Sequence, residues 1–361
     1  MSAPLLSAYA PGRVELLGNH TDYNEGVVLA AAIDRGLTVR GTLRGDGMIT
    51  LRSATFGQDV TSSITELQPL QGDGAWANYA LGVARELLAK GVKLSGFDAE
   101  VSGDVPVGNG LSSSAAFEVA TAFFLLKLHA LEMPRLEIAK LCRRAENNFV
   151  GVPSGLLDQA TSVFGQASQV VHLDCRSEAV RTVPFPATLA LVLAVSGVKH
   201  SLVAGEYGAR REQCQAAAEA LGLRALRDVT SAQLDAAQLD PLLRRRAAHI
   251  VGENERVTRA VDLLAAGDGA GFGSLMNASH ESSRLCFENS TAELDQLVEI
   301  ARSLPGVLGS RLTGGGFGGG TVTLVEAGQA EAVARALAQR YTAQSGHPGQ
   351  TFVCRIAGGA A

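Results

Sequence analysis

Long basic blocks are missing from this chain. The longest run of positive residues is Arg244-Arg245-Arg246, which reads as a solvated helix face, and the formal net charge is −5. A protein that grips a nucleic-acid backbone needs a basic face, so no nucleic-acid partner is expected. Paired cysteines are missing too. Cys142, Cys175, Cys214, Cys286 and Cys354 are odd in number, widely spaced and without a CxxC pair. That pattern argues against a zinc site or a disulfide framework and suits a reducing cytoplasm. Apolar runs such as 189–195 are too short to cross a bilayer. No charged segment leads into an apolar one at the N-terminus, so no signal peptide and no membrane partner are expected. The GxxxxGK[ST] pattern of P-loop kinases does not occur, and neither do repeats or low-complexity linkers.

What is present is a large apolar share. Hydrophobic residues make up 46% of 361 residues, enough for a sizeable core and two domains. Strand patterns fall at 27–29, 37–43, 49–51, 97–101, 170–173, 189–193, 307–311, 321–325 and 351–356. Helix patterns fall at 76–90, 112–131, 135–149, from 156 onward and at 328–342, and helical segments dominate from about 205 to 302. Strands and helices mix without strict alternation, which predicts an α+β protein of two lobes.

Three segments carry the chemistry. The most informative runs Gly103-Asp104-Val105-Pro106-Val107-Gly108-Asn109-Gly110-Leu111-Ser112-Ser113-Ser114-Ala115-Ala116. A strand precedes it and a helix follows. Glycines let a backbone approach phosphate oxygens, and the first N–H groups of a helix have no partner within it. Three hydroxyls at the helix start add donors and a possible magnesium ligand. A degraded GxGxxG dinucleotide fingerprint is the rival reading, with Glu132 at a suitable distance. The first segment, Pro11-Gly12-Arg13-Val14-Glu15-Leu16-Leu17-Gly18-Asn19-His20-Thr21-Asp22-Tyr23-Asn24-Glu25-Gly26, packs polar groups into turn-prone residues. A carboxylate such as Asp22 can accept from two adjacent sugar hydroxyls. The third, Ser310-Arg311-Leu312-Thr313-Gly314-Gly315-Gly316-Phe317-Gly318-Gly319-Gly320, is so rich in glycine that it reads as a tight turn against a ligand or another backbone.

In this order the three segments resemble the galactokinase branch of the GHMP kinase superfamily. Shorter matches include Trp76-Ala77-Asn78-Tyr79, Asp158-Gln159, Val198-Lys199-His200-Ser201-Leu202 and Glu206-Tyr207, and the likeness covers nearly the whole chain. The resemblance implies a ribosomal protein S5-like N-terminal domain, placed at 1–180, and a ferredoxin-like C-terminal domain at 181–361. It implies a cytoplasmic, monomeric enzyme that moves the γ-phosphoryl group of ATP to the anomeric hydroxyl of galactose, with magnesium. The base carried over is Asp158. Arg13 would keep it charged and neutralise the phosphoryl group in transit. Asn19, His20, Asp22, Gly155 and Tyr207 match sugar-contacting positions. Gly108, Gly110, Leu111, Ser112, Ser113 and Ser114 would hold the triphosphate, Trp76 would sit near the adenine, and Ser114 with Glu146 would bind the metal. Gly315 and Gly316 would support the phosphate loop and the sugar rim.

Two departures from the resemblance stand out. The family usually has an acid where Asn19 stands, so the sugar affinity or the preference at C6 is expected to shift. Leu285-Cys286-Phe287 replaces residues that usually include an aspartate and often a tyrosine. Two alternatives therefore stay open. One is a kinase for N-acetylgalactosamine, arabinose or a C6-altered galactose. The other is a non-catalytic sensor of galactose and ATP.

Overall fold

The computed structural model describes residues 4–55, 59–106, 110–198 and 203–361. Among them the strands β1 (Leu6–Leu17), β2 (Val27–Arg44), β3 (Met48–Ser53), β4 (Val60–Ser63), β5 (Gly96–Gly103), β6 (Gln169–Asp174) and β7 (Ala179–Pro184) form one sheet. Its order is β4-β3-β5-β2-β6-β7, with β1 paired on β2. The spine is β2, a single strand of 18 residues where the sequence pattern suggests two short ones. Between those two lies Ala30-Ala31-Ala32-Ile33, all fully buried. Alanine is a poor strand former, so local preference hides the strand there. Pairing decides it: β1 lies antiparallel along one edge, and β5 and β6 share the other. Gly41 permits that closeness, because a Cβ there would collide with the Asp98 carbonyl.

The helices α1 (Asn78–Ala89), α2 (Ser113–Leu128), α3 (Arg135–Ala145) and α4 (Leu157–Phe164) cover one face of the sheet. Leu81, Phe117, Phe124, Ile138 and Leu141 fill that core. A second sheet of β8 (Leu189–Val195), β9 (Val307–Thr313), β10 (Gly320–Glu326) and β11 (Gln350–Cys354) has the order β11-β8-β10-β9 and is antiparallel throughout. A second apolar cluster is shared between the sheets. Val14, Leu29 and Ile33 of the first meet Leu191, Val322 and Leu324 of the second. The other helices are α5 (Val203–Ala220), α6 (Ser231–Ala236), α7 (Pro241–Ala265), α8 (Gly269–Ser282), α9 (Ala292–Arg302) and α10 (Ala330–Ser345). The last residues return to the first sheet, where Ala361 and Tyr9 exchange backbone hydrogen bonds of 3.0 Å. The α+β, two-lobe reading of the sequence therefore holds.

Two helices end in a π turn, Glu146–Val150 after α3 and Ser283–Phe287 after α8. Such wide turns are rare and gather at functional sites. The second one corrects the reading of Arg246. Far from being solvated, its side chain is 2% exposed. It donates from Nε to Gln213 (2.7 Å), from Nη1 to the Cys286 carbonyl (2.6 Å) and from Nη2 to Glu288 (2.6 Å). The π turn aims its free carbonyl at α7, and a buried arginine answers it.

Candidate functional site

Alternation along β1 builds the first part of the site. Val14 and Leu16 enter the shared core, so Arg13 and Glu15 point the other way. Residues read from the sequence as a polar turn are thus half strand, and the turn proper begins at Gly18. Asp158 lies in the first turn of α4. Its Oδ1 accepts from Arg13 Nε at 2.7 Å and pairs with Nη2 at 2.6 Å. Its Oδ2 accepts from the Ser112 hydroxyl at 2.5 Å. Arg13 spends its last nitrogen on the Gly110 carbonyl, at 2.6 Å. The arginine side chain is 7% exposed and the aspartate 24%, so the carboxylate faces the cleft with the guanidinium behind it.

Ser112 precedes α2 in the left-handed region, with φ 54°. A non-glycine residue there costs about 1–3 kcal/mol. The turn aims its hydroxyl at Asp158 instead of capping its own helix. The N–H groups of the first turn of α2 thus remain without a side-chain cap, and no acid stands in that turn. Leu111 differs from its serine neighbours. Its side chain is buried in the shared core, and its carbonyl accepts from the Arg13 backbone at 3.1 Å. Gly108 lies outside the described residues.

A cavity of about 300 Å³ opens beside this helix start, lined by Trp76, Tyr79, Phe117, Ser113 and Ser114 among others. Trp76 stacks on Phe117 with centroids 6.0 Å apart. Glu146, at the first π turn, accepts from the Ser154 hydroxyl and from Gln159 Nε2 (2.9 Å), and the nearby Ser114 hydroxyl favours its charged form. Arg143 and Arg144 do not pair with it; they reach Glu178 and Glu86. Burial, more than the nearby Asp158 charge, pushes the Glu146 carboxyl up. Fully buried Glu118, bonded to the same Gln159 amide at 2.9 Å, is pushed well up by burial and then by Glu146. Among the described residues no three or more acids, histidines or cysteines gather as a metal cage. One carboxylate and one hydroxyl nevertheless fit magnesium, which keeps several waters and takes its other ligands from phosphates.

The residues expected at the sugar meet on the opposite side of Asp158. Gly155 abuts the Asp22 carboxylate, and any Cβ there would overlap it. Burial first, and the Asp158 charge second, push Asp22 up to about 6. Tyr207, from α5, sets its ring 5.0 Å from that of His20. His20 donates from Nε2 to the Gly315 carbonyl (2.9 Å), because a carbonyl can only accept. Its Nδ1 then accepts from the Tyr23 hydroxyl at 2.7 Å. Burial lowers His20 to about 4, so the ring is neutral. Both ring nitrogens are therefore engaged by the protein.

Asn19 is fully buried. Its Nδ2 donates to Glu15 Oε1 (3.0 Å) and the Gly314 carbonyl (2.7 Å). Its Oδ1 accepts from Asn289 Nδ2 at 2.8 Å. The missing acid at this position is matched by one four residues earlier: Glu15, which also pairs with fully buried Arg311 at 3.1 Å. The glycine motif closes over this group. Gly316 has φ 80°, and a Cβ there would strike the Asn289 carbonyl. A Cβ on Gly314 would come within 3.2 Å of the Gly110 carbonyl, so the third segment packs on the second. The Leu285-Cys286-Phe287 departure resolves into packing. Leu285 is 57% exposed, while the buried Phe287 ring lies 4.6 Å from His20 and 4.4 Å from His249.

Sequence reasoning did not single out Glu253, Asn289 or Glu118. Glu253 is fully buried on α7 and accepts from the backbone N–H of Gly18 (2.7 Å) and Asn19 (2.9 Å). Its only trace was a polar residue recurring at helical spacing with Arg246 and His249, which reads as a solvated face. Asn289 follows a residue in the left-handed region, Glu288 with φ 56°, which carries no local signal.

Comparisons with known proteins agree along the chain. Residues 78–166 match the GHMP kinases N terminal domain, and residues 260–343 match the GHMP kinases C terminal domain. Residues 2–42 match the galactokinase galactose-binding signature. A galactokinase of Roseiflexus sp. (strain RS-1) is 44% identical over 99% of this chain and 92% of its own. One of Homo sapiens is 43% identical over 94% and 88%. A solved Lactococcus lactis galactokinase complexed with galactose superposes with a TM-score of 0.94 at 33% identity, covering 99% and 95%. A mevalonate kinase at 18% identity and TM-score 0.70 shares the fold.

Proposed function

The chain belongs to the galactokinases of the GHMP kinase family, and we propose that Asp158 is the base of its reaction. The enzyme phosphorylates galactose with ATP. In our reading the anomeric hydroxyl gives its proton to an Asp158 oxygen as its own oxygen bonds to the γ-phosphorus. The bond from phosphorus to the bridging oxygen breaks, and ADP leaves. Arg13 and Ser112 fix the carboxylate, and the guanidinium offsets its charge. The uncapped start of α2, with Gly110, Ser112, Ser113 and Ser114, receives the phosphates. The Trp76 cavity takes the adenine. Magnesium, held by Ser114 and Glu146, would draw off the charge of the transferring phosphoryl group. Asp22, Gly155 and Tyr207 surround the sugar, and His20 acts by fixing its rim. Among the described residues no helix is long and apolar enough to cross a membrane.

The observation that carries this reading is Asp158 clamped between Arg13 and Ser112, at the point where the helix start and the Asp22 pocket meet. Asp158→Asn keeps the shape and removes the base. It should lower kcat by about 10²–10⁴ and leave galactose binding, read by calorimetry, within severalfold. Undiminished turnover would remove the base from Asp158. ADP release across galactose, glucose, N-acetylgalactosamine, arabinose and fucose should favour galactose. Asn19 gives no ground for another sugar, since its amide is bonded within the protein.

A further inference from the structure

Asn19 sits between two kinds of neighbour. On one side stand acceptors only, the Glu15 carboxylate at 3.0 Å and the Gly314 carbonyl at 2.7 Å. On the other stands a donor, Asn289 Nδ2 at 2.8 Å. A carboxamide has one donating and one accepting end, and this arrangement uses both. Glu15 Oε1 receives two donors, Asn19 Nδ2 and Arg311 Nη1 at 3.1 Å. Asn289 reaches on to the Gly315 carbonyl at 3.1 Å, and His20 reaches the same carbonyl at 2.9 Å. Gly315 in turn lies against the Tyr207 ring, 3.4 Å from where its Cβ would stand. The chain of contacts therefore runs from Glu15 through Asn19 to the glycine rim over the sugar pocket.

We propose that Glu15 and Asn19 are one positioning unit for galactose, in which residue 15 supplies the acceptor and residue 19 the donor that holds the Gly314–Gly315 rim. Asn19 is then not a weakened sugar contact. An ionised glutamate in its place would bring acceptors against the Glu15 carboxylate and the Gly314 carbonyl, and the pair of acids would have to take up a proton, as burial already favours at Glu15. No acid at 19 reproduces the two donated bonds of the amide. The missing acid led to the expectation of a shifted sugar affinity or C6 preference; the contacts hold the amide within the protein instead. Moving the charge, with glutamine at 15 and glutamate at 19, restores one donor–acceptor match.

This inference rests on the galactokinase reading of the cleft. Its test compares the parent with Asn19→Glu, Glu15→Gln and the double variant, measuring kcat, KM for galactose and for ATP, and melting temperature. Contacting residues couple strongly enough that Asn19→Glu should raise the galactose KM about tenfold or more while the ATP KM stays within about twofold. The double variant should regain at least about fivefold of that loss and melt above the Asn19→Glu single. Should the single fail to fold, a double variant that folds, with a galactose KM near that of Glu15→Gln, supports the unit. An unchanged or lower galactose KM in Asn19→Glu overturns the proposal. So do additive losses in the double, a double that fails to fold, or a fall in melting temperature without any change in galactose KM. A parent that leaves galactose unphosphorylated would remove the functional reading instead, and the coupling in melting temperature would still be read.

Discussion

At the scale of the residue, two acids in one cleft have unequal surroundings. Asp158 has a guanidinium and a hydroxyl on its oxygens, while Asp22 has burial and the Asp158 charge, which bring it up to about 6. In the proposed role at the sugar, only an ionised Asp22 would accept from two hydroxyls. Its charged form prevails above pH 6 and is lost as pH falls through that value. The galactose KM should therefore rise about tenfold per pH unit below 6 and be flat above it. Asp22→Asn should abolish that slope, and a parent KM level down to pH 5 would discard the assignment. Unfolding does not mimic the effect through this group. Its pKa is raised from an ordinary 3.8, so between the two values the folded state holds the proton, and Asp22 adds stability as pH falls.

At the scale of the element, the two π turns place what a regular helix would misdirect. The first puts Glu146 beside Ser114, and the second seats the Phe287 ring between His20 and His249. Phe287→Ala should cost about 3–5 kcal/mol in urea unfolding, as for a fully buried phenylalanine. It should also raise the galactose KM, because His20 loses its backing. A loss under about 1 kcal/mol would mean that the ring contributes little packing there. Gly155→Ala puts a Cβ into the Asp22 carboxylate and should raise the galactose KM at least about tenfold, with little change in melting temperature. Much of this level was legible. The strand, glycine turn and helix around Ser112 follow from pattern alone. The π turns were not, because each closes its helix and leaves no later turn in which a shifted apolar spacing could show. Arg246 was misread for a related reason, since its burial depends on a carbonyl that such a turn exposes. β2 was read as two strands because its middle is alanine.

At the scale of the whole molecule, the site is made where the lobes share a core. Leu29 and Ile33 pack with Leu191 and Leu324, and Arg311 of the second sheet pairs with Glu15 of the first. The lobes should therefore unfold together. Calorimetric and van't Hoff enthalpies should agree in a single transition, and two resolved transitions would show independent lobes. Partners across this boundary were invisible in the sequence, since no local period links Asn19 to Glu253 or Asn289. Those partners lie far along the chain: Glu253 is 234 residues beyond Asn19, and Arg311 is 296 beyond Glu15. On a ribosome adding ~5–20 residues per second, the first motif waits roughly 12–60 s for them. Until then the rim proposed to close over the sugar has not been made. Galactose can thus stabilise only a chain whose synthesis has passed the third motif, and the nascent first lobe must hold its future buried charges in water unaided.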